Sequence, residues 1–132
     1  MTTAIVCSSI LAAMIFVLGF NVSRNRGLAA QRGGSQMPTD PADPLLIAQR
    51  AHGNATEYVP TLIALFLLVG WTMPEPWALG LVVAATASRL LHAYAMLRSE
   101  TLAKENNPRL AGAMGTYLFG TALAVTAAVG AF

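Results

Sequence analysis

Four apolar stretches of bilayer-spanning length leave this 132-residue chain few ways to fold. They run from about Ala4 to Phe20, from Leu45 or Tyr58 to Gly70, from Trp77 to about Met96, and from Leu110 to Phe132. A helix needs roughly 20 predominantly apolar residues to cross a ~30 Å hydrocarbon core. Inside lipid every backbone N–H and C=O must be bonded within the protein, and a helix does this along its own length. The pattern predicts an all-α integral membrane protein, a four-transmembrane-helix bundle forming one domain over residues 1–132, with helices at about 3–22, 45–70, 77–98 and 109–131. Composition agrees, since only 11% of residues are charged where a soluble domain carries about 25%. The first stretch reads as a membrane helix and not a secretory signal, because its arginines follow the apolar run. A single cysteine, Cys7, excludes an internal disulfide and argues against a cysteine-based metal site.

Charge placement sets the expected topology. Arg24, Arg26, Arg32, Arg50, Arg89, Arg98, Lys104 and Arg109 all fall in or near the first and third connections. The second connection, "WTMPEPW", has no cation and is flanked by Trp71 and Trp77, where interfacial anchors are expected. The positive-inside rule then puts both termini on the non-cytoplasmic side and the two longer connections in the cytoplasm. "NVSRNRGLAAQRGGSQMPTDPADP" lacks periodicity and reads as a cytoplasmic loop. Asp43-Pro44 looks like an N-cap followed by proline at the first helical position, and Pro108 marks another helix start. The Arg24, Arg26 and Arg32 cluster reads as topology and anionic-lipid contact, with substrate binding the alternative.

The second apolar stretch is entered through "RAHGNATEYVP", and its polar residues are ordered. On a helix, Asn54 lies ~40° and Glu57 about −20° from Arg50, a stripe ~60° wide, while His52 falls on the opposite face. A helix polar on two faces at membrane depth needs cover from other helices of this chain or of neighbouring copies. Glu57 lies about 21 Å from Trp71 and Arg89 about 18 Å from Trp77 along their helices. Both charges sit within the hydrocarbon slab, so each needs a partner, and the depths predict a Glu57–Arg89 ion pair. Arg89, His92 and Met96 share one face of the third helix. Pro60 removes a hydrogen bond to the Thr56 carbonyl and is expected to bend the second helix. No set of His, Asp and Glu has metal-ligand spacing, so no metal is expected.

These residues resemble a known family. "RAHGNATEYVP" is similar to the signature of the membrane-associated proteins in eicosanoid and glutathione metabolism (MAPEG), roughly Arg-Ala-x-x-Asn-x-x-Glu-aromatic-x-Pro. "SRLLHAYAMLR" resembles the same family's third-helix pattern, Arg-x-x-His-x-x-Ala/Gly. The resemblance implies a homotrimer that binds glutathione between subunits near the cytoplasmic face. It implies glutathione contacts for Arg50, Asn54, Glu57 and Tyr58, with His52 contributing from the adjacent subunit and Arg89 and His92 on the facing helix. An arginine near the third connection is expected to stabilise the thiolate, with Arg109 the best match and Lys104 or Arg98 the alternatives. Met96 departs from the pattern, since many catalytic members carry tyrosine there.

The function implied is a glutathione-dependent transferase or peroxidase acting on small hydrophobic electrophiles delivered from the bilayer, expected in a bacterial inner membrane. The alternative is a non-catalytic lipid-binding or scaffold protein of the same fold. Four-helix multidrug exporters have similar length but rely on a carboxylate in the first helix, which this chain lacks. No nucleic-acid partner is expected.

Overall fold

The computed structural model describes residues 1–131 as four α-helices and their connections. α1 spans Thr2–Gln31, α2 Pro44–Thr72, α3 Pro76–Leu97 and α4 Asn107–Val129. All four are long and apolar enough to cross a membrane, and the chain is built as a multi-pass integral membrane protein. α2 and α3 form the centre, each packing on all the other helices, whereas α1 and α4 flank them without packing on each other. Leu11 and Leu18 of α1, Val59 and Phe66 of α2, Val82 of α3 and Leu123 of α4 meet in one apolar core.

Small residues let the helices approach. A Cβ added at Gly70 would lie 2.7 Å from the Ala4 Cβ, and one at Gly112 would lie 2.6 Å from the His92 backbone nitrogen. Side chains at these points would hold the backbones apart, and in lipid close packing of backbones is a main source of helix association. Buried hydroxyls close on their own helices: Thr86, Thr116 and Thr126 each donate to a carbonyl four residues earlier at 2.8 Å. No hydroxyl dipole of these three is left open to hydrocarbon.

The expected helix starts are present. The Asp43 carboxylate accepts from the Leu45 and Leu46 amides at 2.7 and 3.4 Å, with Pro44 in the first turn. Asn106 Oδ1 accepts from the Arg109 amide at 3.0 Å ahead of Pro108. α2 runs on through Pro60 with helical residues on both sides.

One expectation fails. α1 was expected to end near residue 22, but it continues to Gln31, so the first part of the anticipated loop is helix. Its 30 residues measure about 45 Å, well beyond the hydrocarbon. The reason is tertiary. Val22 and Ala29, two turns apart, pack on Leu45 and Ala48 in the opening turns of α2. Both helices project past the membrane together and support each other. Gly33 then ends α1 with φ +66°, the left-handed conformation that glycine adopts freely.

Candidate functional site

The polar residues of α2, α3 and α4 converge at the arginine-rich end of the bundle. Arg50, Gly53, Asn54 and Glu57 of α2, His92 and Met96 of α3, and Arg109 of α4 line a cleft of about 350 Å³. Leu102 closes it from the third connection, held by a hydrogen bond from its amide to the Pro41 carbonyl at 2.9 Å. Five of the expected site residues therefore share one concavity: Arg50, Asn54, Glu57, His92 and Arg109. Arg98 and Lys104 are exposed and lie outside its lining.

Hydrogen bonds fix what these groups offer. His92 Nδ1 lies 2.9 Å from the Arg109 carbonyl, which only accepts, so Nδ1 carries the proton and Nε2 is left as an acceptor in the neutral ring. The Arg109 guanidinium donates through Nη2 to the Lys104 carbonyl at 2.9 Å and keeps its other donors. That bond holds the cation beside the cleft through a loop residue of its own segment.

The expected Glu57–Arg89 ion pair does not form. Among the described residues no Lys, Arg or His nitrogen lies within 4.0 Å of a side-chain carboxylate oxygen. Arg89, 1% exposed, instead donates from Nη2 to Asn54 Oδ1 at 2.9 Å. Its guanidinium lies 5.2 Å from the Tyr58 ring centroid, within cation–π range. Glu57 stays exposed on the lining of the cleft. Because a guanidinium only donates, Arg89 also fixes the orientation of the Asn54 amide and leaves its Nδ2 as a donor without a partner among the described residues. Arg89 thus lies behind the cleft lining and acts as a positioning residue for Asn54.

Two further expected residues lie outside the cleft. His52 is half-buried on the opposite face of α2, where its Nε2 lies 3.4 Å from the position of a Cβ added at Gly19 of α1. The second polar face of α2 is therefore met by a helix of the same chain. Tyr58 turns toward α4, where its hydroxyl lies 3.4 Å from that of Tyr117 and the rings tilt against each other at 5.8 Å. The two tyrosines stand in a separate groove of about 300 Å³ between α2 and α4, walled by Leu62, Leu65 and Gly120.

The MAPEG family model matches residues 4–129, nearly the whole chain. The protein belongs to the MAPEG family. Comparison with curated proteins gives no match. The family includes glutathione transferases and peroxidases together with members that catalyse nothing, so membership alone assigns no activity. The two stretches that carried the family resemblance face each other across the same end of this MAPEG bundle, on α2 and α3.

Sequence reasoning missed Leu102, Gly53 and Gln49 of the cleft lining and Tyr117 of the groove. Leu102 left a signal, as the one large apolar residue in the otherwise polar "RSETLAKENNP". Tyr117 left none, because an aromatic residue within an apolar helix has no distinguishing period.

Proposed function

We propose that this MAPEG protein is a glutathione-dependent transferase or peroxidase that acts on lipophilic electrophiles. One observation carries the reading: within a mainly apolar bundle, one cleft collects two arginines, a carboxylate, two amides and an imidazole. Glutathione presents the complementary set of two carboxylates, an ammonium and two amides. Arg50 suits a carboxylate through paired N–H donors, Glu57 suits the ammonium, and the Asn54 Nδ2 suits a peptide carbonyl.

When bound, glutathione supplies the sulfur nucleophile. Arg109 favours the negative form of the sulfur by its charge, and the low-polarity surroundings strengthen that attraction. In conjugation a carbon–sulfur bond forms, the leaving group departs with its electron pair, and the thiol proton passes to solvent. The α2/α4 groove with its two tyrosine hydroxyls offers an apolar surface for the second substrate on the lipid side of Arg89.

The exposed part of the stripe supports an assembly. Glu57 is exposed at a depth where an uncovered carboxylate costs several kcal/mol. Cover from neighbouring copies removes that cost, and the family resemblance supports a homotrimer in which half-buried His52, beside α1 of its own chain, also borders the neighbour's site. The proposed host is a bacterial inner membrane, with both termini on the non-cytoplasmic side.

The test is calorimetric titration of glutathione into the detergent-solubilised protein, with Arg50→Ala beside it and cross-linking to count subunits. Saturable binding that Arg50→Ala weakens at least tenfold is the expected result. Arg109→Ala should still bind glutathione but lose most turnover of a model electrophile at neutral pH. Its rate should recover as pH rises, because without the cation the thiol ionises only at higher pH. Absence of binding at several millimolar by an intact trimer would overturn the proposal in favour of a non-catalytic lipid-binding or scaffold protein. That second reading has one observation of its own: Met96 brings a thioether, a weak acceptor with no hydroxyl, to the cleft lining.

A further inference from the structure

A larger cleft, of about 640 Å³, lies on another side of α2 and shares no residue with the one above. It is bounded by α1, the opening turns of α2 and the end of α3. Its lower walls are apolar, with Val17 and Phe20 from α1, Ile47 from α2 and Leu97 from α3. Its rim is polar and carries one charge of each sign, Arg24 from α1 and Glu100 from the third connection.

Height along the bundle identifies what meets this rim. Ala4 is level with Gly70, beside Trp71, because the two residues pack together. From Ala4 to Arg24 along α1 is about 30 Å, and from Trp77 to Leu97 along α3 is also about 30 Å. Rim and tryptophans are therefore separated by one hydrocarbon thickness, which places the rim among lipid headgroups and the apolar walls beside acyl chains.

The rim chemistry selects among headgroups. Arg24 and Glu100 are both exposed and do not pair with each other within 4.0 Å. Asn25 donates through Nδ2 to the Asn21 carbonyl and to Asn21 Oδ1, which leaves its own Oδ1 as an acceptor. Ser99 is already engaged, donating to the Ala95 carbonyl at 2.8 Å and accepting from Asn106 at 3.3 Å. The rim thus offers a cation for an anion and two acceptors for a cation that can donate. From this charge complementarity above apolar walls we infer that the cleft is a binding site for phosphatidylethanolamine. Arg24 receives the phosphate, Glu100 and Asn25 accept from the primary ammonium, and an acyl chain lies along Val17, Phe20 and Leu97. Phosphatidylglycerol lacks the ammonium, and the quaternary nitrogen of phosphatidylcholine has no N–H to donate. Glutathione carries similar charges but has nothing to place against the apolar walls.

The experiment is native mass spectrometry of the delipidated protein in detergent with phosphatidylethanolamine, phosphatidylcholine or phosphatidylglycerol of identical chains. Retention of phosphatidylethanolamine should exceed that of phosphatidylcholine by about three- to tenfold, the range of one charge-assisted contact near a surface. Glu100→Gln should abolish that preference and raise phosphatidylglycerol binding, while Arg24→Gln should weaken all three lipids. Arg26→Gln, on the same helix but outside the cleft lining, should change nothing. Equal retention of phosphatidylethanolamine and phosphatidylcholine, or a preference that survives Glu100→Gln, would overturn the inference. Displacement of the lipid by millimolar glutathione would also overturn it, since the rim would then belong to the tripeptide. None of these outcomes bears on glutathione binding at Arg50.

Discussion

At the scale of single residues, Arg89 shows how a buried cation is held without an acid. Asn54 supplies one hydrogen bond and the Tyr58 face supplies a diffuse attraction, while Arg89 Nε is left without a partner among the described residues. With so few contacts, each one matters. Asn54→Ala should therefore lower stability by about 1–3 kcal/mol, the cost of stranding a buried donor. Asn54→Asp, which restores an acceptor, should cost less. Unfolding midpoints in detergent compare the two, with exposed Thr56→Ala as the reference. If Asn54→Ala melts no lower than Thr56→Ala, Arg89 does not depend on Asn54. The stripe of Arg50, Asn54 and Glu57 was legible from helical angles, and so was the face shared by Arg89 and His92. The partner of Arg89 was not. Azimuth and depth locate a backbone position, whereas a flexible guanidinium can reach any acceptor within about a turn, and Asn54, within the stripe itself, provided one.

At the scale of elements, the starts of α2 and α4 were legible because their signals are local: Asp43-Pro44, and Pro108 behind the Asn106 cap, begin these helices by side-chain chemistry. The end of α1 was not legible. Past Phe20 its sequence is polar, and its helical form rests on Val22 and Ala29 packing against the start of α2, a contact no window of α1 contains. Glycine substitutions separate local propensity from packing. Gly27 sits in the projecting part of α1 with nothing within 4 Å of an added Cβ. Gly27→Ala should stabilise that extension by about 1 kcal/mol, the propensity difference in a helix, seen as slower amide exchange over Arg24 to Gln31. Gly112→Ala has the opposite sign. Its methyl would meet the His92 backbone, so α4 must move off α3 at a cost of about 1–3 kcal/mol. Because His92 also bonds the Arg109 carbonyl, that displacement should weaken glutathione binding together with stability. A Gly112→Ala protein with the unmodified melting point and affinity would show that α3 and α4 do not depend on this contact.

At the scale of the whole molecule, the two ends differ in every property that matters to a membrane. One end carries Trp71 and Trp77, both exposed, about a short turn without a cation. The other carries the projecting turns of α1 and α2, the third connection, and both polar clefts. On the positive-inside rule we propose that the clefts face the cytoplasm, where the proposed thiol cosubstrate is made and kept reduced. The orientation is testable because Cys7 is the one cysteine and is buried. In a Cys7→Ser background, a cysteine placed at Glu75 should react with a membrane-impermeant maleimide added to intact cells. One placed at Ser35, in the exposed turn after α1, should react only after the membrane is opened. The reverse pattern would put the arginine-rich end outside, and the cleft proposed for glutathione would then face a compartment without a reduced thiol pool. Labelling of both positions in intact cells would mean a mixed orientation, contrary to the one-sided placement of every Lys and Arg in the chain.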